Sequence, residues 1–391
     1  MQNFRSFTEG SITRGLINFA LPVLFADVLQ SLNASVNSIW VGRYLGEAAL
    51  AVTSNANAVM FLPMGATFGI AMAATILVGQ CIGASNIRGA KRVVGTSATV
   101  FGAISVGISV AGLTLSEPGF GPIARMGIAG SALATVVAQS VLPRSSSTST
   151  GTGTPLCLHK NELSMLRVEW AIVSTLLRKG IPMSGDILVP SLSCVLMITL
   201  VNRFGVDTTA AFGASIQLWN YLPKLAAAVA MAASTMATLN VGAQQWDRVK
   251  SIARVGVVCS VLGTSFTALT AEILDTHVFE NFVSAGSQAL HIASHINRVA
   301  TWSCVFSAVS MVLLGVTRAA GAVMVPFLIA TLSILVVQFS LAETLLDRWQ
   351  ADATWWSFPI SSVLDVVLAV LYYKYGGWRT AWLQFPAHVK G

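Results

Sequence analysis

The stretch LINFALPVLFADVLQSLNASVNSIW, residues 16 to 40, decides the class of fold, because it is apolar over about 25 residues and contains one charge, Asp27. A helix needs about 20 mostly apolar residues to cross a hydrocarbon core about 30 Å thick. The stretch therefore predicts a transmembrane helix, and comparable stretches recur along the chain. The predicted spans are residues 16 to 40, 48 to 80, 93 to 114, 126 to 143, 181 to 202, 209 to 240, 255 to 274, 299 to 317, 321 to 342 and 356 to 373.

The composition agrees with a membrane protein. Of the 391 residues, 54% are hydrophobic and 10% are charged, whereas soluble domains carry about 25% charged residues. So few charges cannot cover a water-facing surface. We therefore predict an all-α polytopic membrane protein of about ten transmembrane helices, with the lipid bilayer as its main partner.

The basic residues are divided unevenly between the two sides of the predicted membrane. If both termini are cytoplasmic, most of the 23 Lys and Arg residues fall in cytoplasmic segments, as the positive-inside rule requires. The net charge of +7 is then a property of the topology, and we expect no nucleic-acid partner. This pattern requires the short fourth stretch, 126 to 143, to cross the membrane.

The two halves of the chain resemble each other at an offset of about 160 residues. Both copies begin on the same predicted side, so they are parallel repeats related by an axis along the membrane normal. Some secondary transporters use this arrangement around a central cavity. The matched pairs include Pro22 and Pro182, Arg43 and Arg203, Pro63 and Pro223 and, after a shift of one residue, Gly83 and Gly242.

A polar segment rich in Ser, Thr and Gly, residues 142 to 163, separates the copies. We predict a shortened first helix bundle over 1–141, a cytoplasmic linker over 142–180 and a second bundle over 181–391. The second copy is longer than the first by about two helices. The bundles are therefore expected to contain four and six helices.

Four stretches carry a resemblance to a known family: TEGSITRGLINFALPVLFADVLQSLNASVNSIWVGRYLGEAALA (8 to 51), ATILVGQCIGASNIRGAKR (74 to 92), AAFGASIQLWNYLPK with NVGAQQWDR (210 to 248), and LLGVTRAAGAVMVP (313 to 326). In order and spacing they resemble the multidrug and toxic compound extrusion (MATE) transporters, particularly the bacterial branch. The resemblance implies twelve helices in two bundles. It also implies export of cationic or amphipathic compounds across the inner membrane in exchange for protons or sodium ions.

The chain departs from the family pattern in two places. Many family members have an Asp in the first helix where this sequence has Asn37, and an Asn cannot titrate. The first-lobe counterpart of the GVTRAAGAV helix is missing between Leu115 and Gly127. The chain is thus similar to a family member with an internal deletion in the first lobe.

Four polar residues of the first span, Asp27, Gln30, Asn33 and Asn37, share one arc of about 120° on a helix. Such a stripe is expected to face a cavity or another helix. An intramembrane carboxylate must be protonated, paired or hydrated. Asp27 is therefore either a proton-accepting or cation-attracting site or a structural residue bonded to polar neighbours.

Other polar residues lie in the second copy. Asp365 is near mid-membrane and is a candidate coupling residue, whereas Asp186 is expected to cap the start of its helix. Lys224 is expected to pair with an intramembrane carboxylate. Gln217 and Asn220 lie one turn apart and are candidates for hydrogen bonds to substrate or to another helix.

Four prolines, Pro22, Pro63, Pro182 and Pro223, remove backbone donors within predicted spans and are hinge candidates. Proline is also common in membrane helices in general, so this pattern alone does not distinguish a hinge from an ordinary bend.

The sequence contains no phosphate-binding loop, nucleophile triad or metal-ligand cluster. We therefore predict a secondary active transporter rather than an enzyme, with no catalytic residue, metal site or cofactor, and with H⁺ or Na⁺ as coupling ion. We expect a multi-pass monomer in the bacterial inner membrane, with both termini cytoplasmic and a small organic substrate. Two alternatives stay open: an inactive, non-transporting truncated member, or a flippase for a lipid-linked substrate.

Overall fold

The computed structural model describes residues 8–40, 44, 65, 67–115, 168–275, 279 and 288–382, and every regular element in these residues is a helix. The prediction of an all-α fold is confirmed. The predicted fourth stretch, 126 to 143, lies outside the described residues, as does most of the predicted linker.

Eleven helices of at least 13 residues lie in the described part of the chain, besides the short helical turns Asn202–Phe204, Leu346–Trp349 and Trp378–Ala381. The first half of the chain contributes α1 Ile12–Trp40, α2 Thr67–Gly83 and α3 Ile87–Leu115. The second half contributes α4 Trp170–Val201, α5 Val206–Trp219, α6 Lys224–Gly242, α7 Trp246–Ile273, α8 Gln288–Ala300, α9 Ser303–Ala319, α10 Met324–Thr344 and α11 Ala351–Tyr375.

Several of these helices are membrane-spanning by length and composition. Six helical segments of the described chain are long and apolar enough to cross a bilayer, with α5 and α6 counted as one segment. The α8 and α9 pair, bent by 41°, makes a seventh. This agrees with a polytopic membrane protein.

The fifth predicted span starts too late. It was expected to begin at residue 181, whereas α4 begins at Trp170. The prediction stopped at the charges of Arg178 and Lys179, but the ammonium group of Lys179 donates to the carbonyl of Gly321 at the end of α9. A basic residue can therefore lie inside this helix, because its charge is bonded to a neighbouring helix.

Two membrane segments depart from a regular α-helix. The backbone between α5 and α6 forms turns at 220–223, where Pro223 supplies no amide donor. Helix α10 passes through a π-helical stretch, Thr331–Val337. In the described part of the chain, Pro223 lies at such a break, whereas α1 and α4 continue as helices through Pro22 and Pro182.

Helix α6 is the centre of the described structure. Its sequence is dominated by Ala, the strongest helix former, and most of its side chains are buried. It packs against α1, α7 and α9 in the largest apolar core. Small side chains allow helix backbones to approach closely in membranes, which explains how one helix contacts so many neighbours.

The repeat predicted from sequence is visible in the turns that follow α2 and α6. Ser85 and Gln244 occupy equivalent positions and both adopt left-handed backbone conformations, with φ of 59° and 58°. Their flanking hydrogen bonds are also equivalent. The amides of Asn86 and Gln245 donate over 2.8 Å to the carbonyls of Cys81 and Asn240.

Most Ser and Thr hydroxyls in the described helices bond to their own helix. Each donates to the carbonyl three or four residues earlier, which satisfies a polar group that lipid cannot. Examples are Thr75, Thr99, Thr175, Ser184, Ser191, Thr199, Ser215, Thr235, Thr238, Thr270 and Thr331.

Candidate functional site

A cavity of about 750 Å³ lies between α1, α2 and α3 on one side and α6 on the other. This volume is within the range of about 300 to 1,000 Å³ that is typical of small-molecule sites. None of the described side chains that line it is charged. The largest apolar ones are Phe19, Phe68, Met72, Phe101, Met231 and Leu239.

Helices α2 and α6 cross in close contact next to the lining residues Ile82 and Leu239. A Cβ atom on Gly83 would lie 2.0 Å from the carbonyl oxygen of Leu239, and one on Gly242 would lie 2.2 Å from the carbonyl oxygen of Gln80. Glycine is therefore required at both positions for this close approach. Gly83 and Gly242 are equivalent in the repeat. The crossing is therefore formed by the same position of the two repeat copies.

We call this the basic end of the bundle, because α3 and α7, which start just after the crossing, carry Arg88, Lys91, Arg248 and Lys250 near their first turns. A side-chain hydrogen bond adds a further helix contact there. The Nε2 atom of Gln80, on α2, donates over 2.7 Å to the carbonyl of Ala319, at the end of α9. Gln80 is buried, so the bond is shielded from water.

Replacing Gln80 by Leu is expected to lower the free energy of unfolding by about 1 kcal/mol, because the Ala319 carbonyl loses a buried partner. The measurement is a denaturant titration of the purified protein in detergent. Gln217→Leu, at an exposed position on α5, is the matched control. Equal stability of the two variants would show that the bond contributes nothing.

A separate group of charges lies in the second half of the chain, where α4, α9 and α11 meet. The guanidinium of Arg318, on α9, donates to the carboxylate of Asp186, on α4. Asp365, on α11, lies near both of these residues and beside Ser310. It is 8% exposed, and its Oδ1 atom has no hydrogen-bond partner.

The MatE family model matches residues 22–141 and 182–343, which is most of the chain. The chain belongs to the MATE family. The resemblance predicted from the sequence is confirmed, and membership makes the protein a membrane transporter rather than an enzyme. The two matched segments correspond to the two copies of the repeat, and the first is shorter than the second.

Known MATE proteins are similar over nearly their whole length. "Probable multidrug resistance protein YoeA" of Bacillus subtilis (strain 168) is 25% identical, and the match covers 94% of this chain and 95% of that protein. "Probable multidrug resistance protein YpnP" of the same organism is 22% identical over 95% and 97%. The crystal structure of a mutant of the Vibrio cholerae MATE transporter VcmN has a TM-score of 0.81 at 17% identity, covering 96% and 100%.

The polar stripe predicted on the first MATE helix does not line the cavity described above. Asp27 is half-buried, and Gln30 and Asn33 are exposed on α1. The side chain of Asn37 lies outside the described residues. Within the described chain, α1 contributes Phe19 to the cavity wall. The role of the stripe stays a prediction.

Lys224 does not have the partner predicted for it. It opens α6 directly after the break, is half-buried, and forms no ion pair with a described residue. The half-buried Asp186 and the buried Asp365 lie beside Arg318 instead. Gln217 and Asn220 are exposed near the end of α5, and neither lines the cavity.

The prediction for Asp186 was wrong. Asp186 lies in the middle of α4 rather than in its first turn, because the helix begins at Trp170. Its partner, Arg318, was not among the candidate residues of the sequence analysis. The signal that could have indicated Arg318 is its position within GVTRAAGAV, one of the stretches that carry the family resemblance. Pro63, the remaining hinge candidate, lies outside the described residues.

Proposed function

We propose that the protein is an ion-coupled antiporter that exports small organic compounds across the bacterial inner membrane by alternating access. The observation that carries the proposal is the cavity between helices that include the repeat-related α2 and α6, beside the close crossing of these two helices. Such a cavity can be opened on one side at a time if the two halves rock about the repeat axis. The names of the two Bacillus relatives support drugs and other xenobiotics as substrates.

The basic end faces the cytoplasm in this proposal. The helix starts at this end carry several Lys and Arg residues, which favour the cytoplasmic side. Both termini then lie in the cytoplasm, and the described conformation is closed on that side. The crossing of α2 and α6 is the cytoplasmic gate, which must separate before substrate can enter from inside the cell.

The cluster of Asp186, Arg318 and Asp365 is the proposed coupling site. A buried carboxylate with an unpartnered oxygen can take up a proton or help to bind a sodium ion. Arg318 pairs with Asp186, and the end of α9 that follows it carries the Ala319 carbonyl bound by Gln80. We propose that a change of charge at Asp365 acts on Arg318 and, through the end of α9, on the Gln80 hydrogen bond beside the gate.

The first lobe is proposed to be shortened, with four helices against six in the second lobe. The alignment with YoeA extends over 445 positions, more than the 391 residues of this chain, so the chain has gaps relative to YoeA. The shorter first family-model match supports the same proposal. We propose that the protein works as a monomer.

The test is export of a fluorescent cationic or amphipathic dye, first in cells and then in proteoliposomes with an imposed proton or sodium gradient. Expression is expected to lower dye retention, and Asp365→Asn is expected to reduce gradient-driven transport at least about tenfold, because an amide cannot exchange a proton. Asp27→Asn is tested in parallel, since the two carboxylates are competing coupling candidates. Ion-driven transport unchanged by Asp365→Asn would exclude that residue.

The same experiment separates the alternatives. A non-transporting member would insert into the membrane but give no gradient-driven flux with any dye. A flippase for a lipid-linked substrate needs a wide, cationic cavity for its phosphate groups, whereas the described lining residues carry no charge. The geometry of the cavity therefore favours the exporter.

A further inference from the structure

Two polar contacts join the two copies of the repeat at the basic end of the bundle. The Nε atom of Arg92, near the start of α3, lies 3.7 Å from the Oε1 atom of Glu169, the residue before α4. The guanidinium of Arg248, in the first turn of α7, donates to the carbonyl of Gly10, just before α1. Each contact links a residue of the first copy to a residue of the second. We call them the interlobe contacts.

The interlobe contacts are formed by equivalent elements of the repeat. The offset of about 160 residues relates α1 to α4 and α3 to α7. One contact therefore joins the start of α3 to the segment before α4, and the other joins the start of α7 to the segment before α1. The positions within the elements differ, since Arg248 corresponds to Gly89 rather than to Arg92. The α2–α6 crossing uses the same position of both copies, so we expect the contacts to lie on opposite sides of it.

Both contacts must break if the two halves of the chain move apart at this end. The side chains of Arg92 and Glu169 are 34% and 32% exposed, and ion pairs that water reaches contribute little to stability. Such a pair can favour the closed state without preventing its opening in each transport cycle. The Gly10 carbonyl is a neutral acceptor, so the second contact does not depend on two opposite charges.

We infer that the two interlobe contacts hold the cytoplasmic gate closed, and that the ion pair between Arg92 and Glu169 makes its opening sensitive to ionic strength. The inference rests on the proposed transport cycle and names positioning residues of its gate. The two contacts are expected to respond differently to charge reversal and to salt, because only the first joins two charged side chains.

The first test measures maleimide labelling of Cys81 in the purified full-length protein with no other cysteine. Cys81, on α2, is 1% exposed, so faster labelling reports separation of the helices around it. Arg92→Glu and Glu169→Arg each bring like charges together and are each expected to raise the labelling rate about two- to tenfold. Combining both substitutions restores opposite charges and is expected to return the rate to within about twofold of the parent protein. Arg88→Glu, at an exposed position on α3, is the matched control.

The second test uses the chemical difference between the contacts. Raising KCl from about 0.05 M to about 1 M is expected to increase the labelling rate of the parent protein about twofold and to leave that of Glu169→Gln unchanged. Arg248→Gln is expected to raise the rate about two- to tenfold, because the Gly10 carbonyl loses a charged donor. Arg254→Gln, at an exposed position further along α7, is the control.

Three results would overturn the inference: charge reversals that label no faster than Arg88→Glu, an exchanged pair as reactive as the single variants, or equal acceleration by salt in Glu169→Gln and the parent protein. The exchanged pair and the salt series keep the test decisive if a single reversal does not fold. Labelling requires neither substrate nor an ion gradient. The interlobe contacts can therefore be disproved while dye export stands, and a protein that exports no dye can still have them.

Discussion

Replacing Arg318 by Ala is expected to lower the free energy of unfolding by about 3 kcal/mol. The substitution leaves the carboxylate of Asp186 in the protein interior without its partner, and breaking a buried ion pair in this way typically costs about 3 to 5 kcal/mol. The lower value applies because the two side chains are 21% and 20% exposed. A denaturant titration of the purified protein measures the effect.

Two further variants test this prediction more specifically. Asp186→Asn combined with Arg318→Gln removes both charges and is expected to recover part of the lost stability, since no uncompensated charge remains. Arg348→Ala, at an exposed position after α10, is the control for loss of an Arg. If Arg318→Ala were as stable as Arg348→Ala, the ion pair would contribute nothing to the fold.

Substituting Ala for either crossing glycine is expected to reduce export at least about fivefold. The new Cβ atom of Gly83→Ala or Gly242→Ala would lie 2.0 or 2.2 Å from a backbone carbonyl oxygen. A backbone atom cannot rotate away as a side chain can, so the helices must separate. Overpacking of this kind costs about 1 to 3 kcal/mol, enough to shift a two-state equilibrium about five- to 150-fold.

The double variant provides the more specific result. Because both glycines lie in one crossing, helices separated by the first methyl group already accommodate the second. The double variant is therefore expected to be about as impaired as each single one, rather than showing the product of the two effects. Gly102→Ala and Gly213→Ala are the controls, since a Cβ atom at these positions meets no atom within 4 Å.

The reactivity of the Cys81 thiol reports the separation of α2 and α6 independently of transport. Cys81 lies on α2 beside the crossing and is 1% exposed. In a variant that retains Cys81 as its sole cysteine, Gly242→Ala is expected to increase the rate of maleimide labelling. An unchanged labelling rate together with unchanged export would show that α2 and α6 tolerate the methyl group, and the gate would then lie elsewhere.

The membrane class, the repeat and the family could be predicted from the sequence, because each depends on a pattern read along the chain. Gly83 and Gly242 were matched as equivalent residues. That they meet at one crossing could not be predicted, since a repeat relates positions without saying which surfaces pack together. The helix contacts that create the cavity could not be predicted for the same reason.

The errors at the charge cluster have one physical origin. The predicted span began at residue 181 because Arg178 and Lys179 interrupt the apolar run, and this placed Asp186 in a first turn. The bond from Lys179 to the carbonyl of Gly321 allows the helix to start at Trp170. The sequence offered no means of finding that bond, because its partner is about 140 residues away along the chain.

The hydroxyl groups that bond back to their own helices have a consequence for how the bilayer meets this protein. A threonine such as Thr199 or Thr270, exposed on its helix, donates its hydroxyl hydrogen bond to a carbonyl of the same helix, so its methyl group is the part of the side chain left for lipid contact. Hydropathy scales that score threonine as polar therefore underestimate the hydrophobicity of these segments. Towards lipid chains, such a threonine resembles a valine. We therefore expect membrane insertion of these helices to cost less free energy than their threonine content suggests.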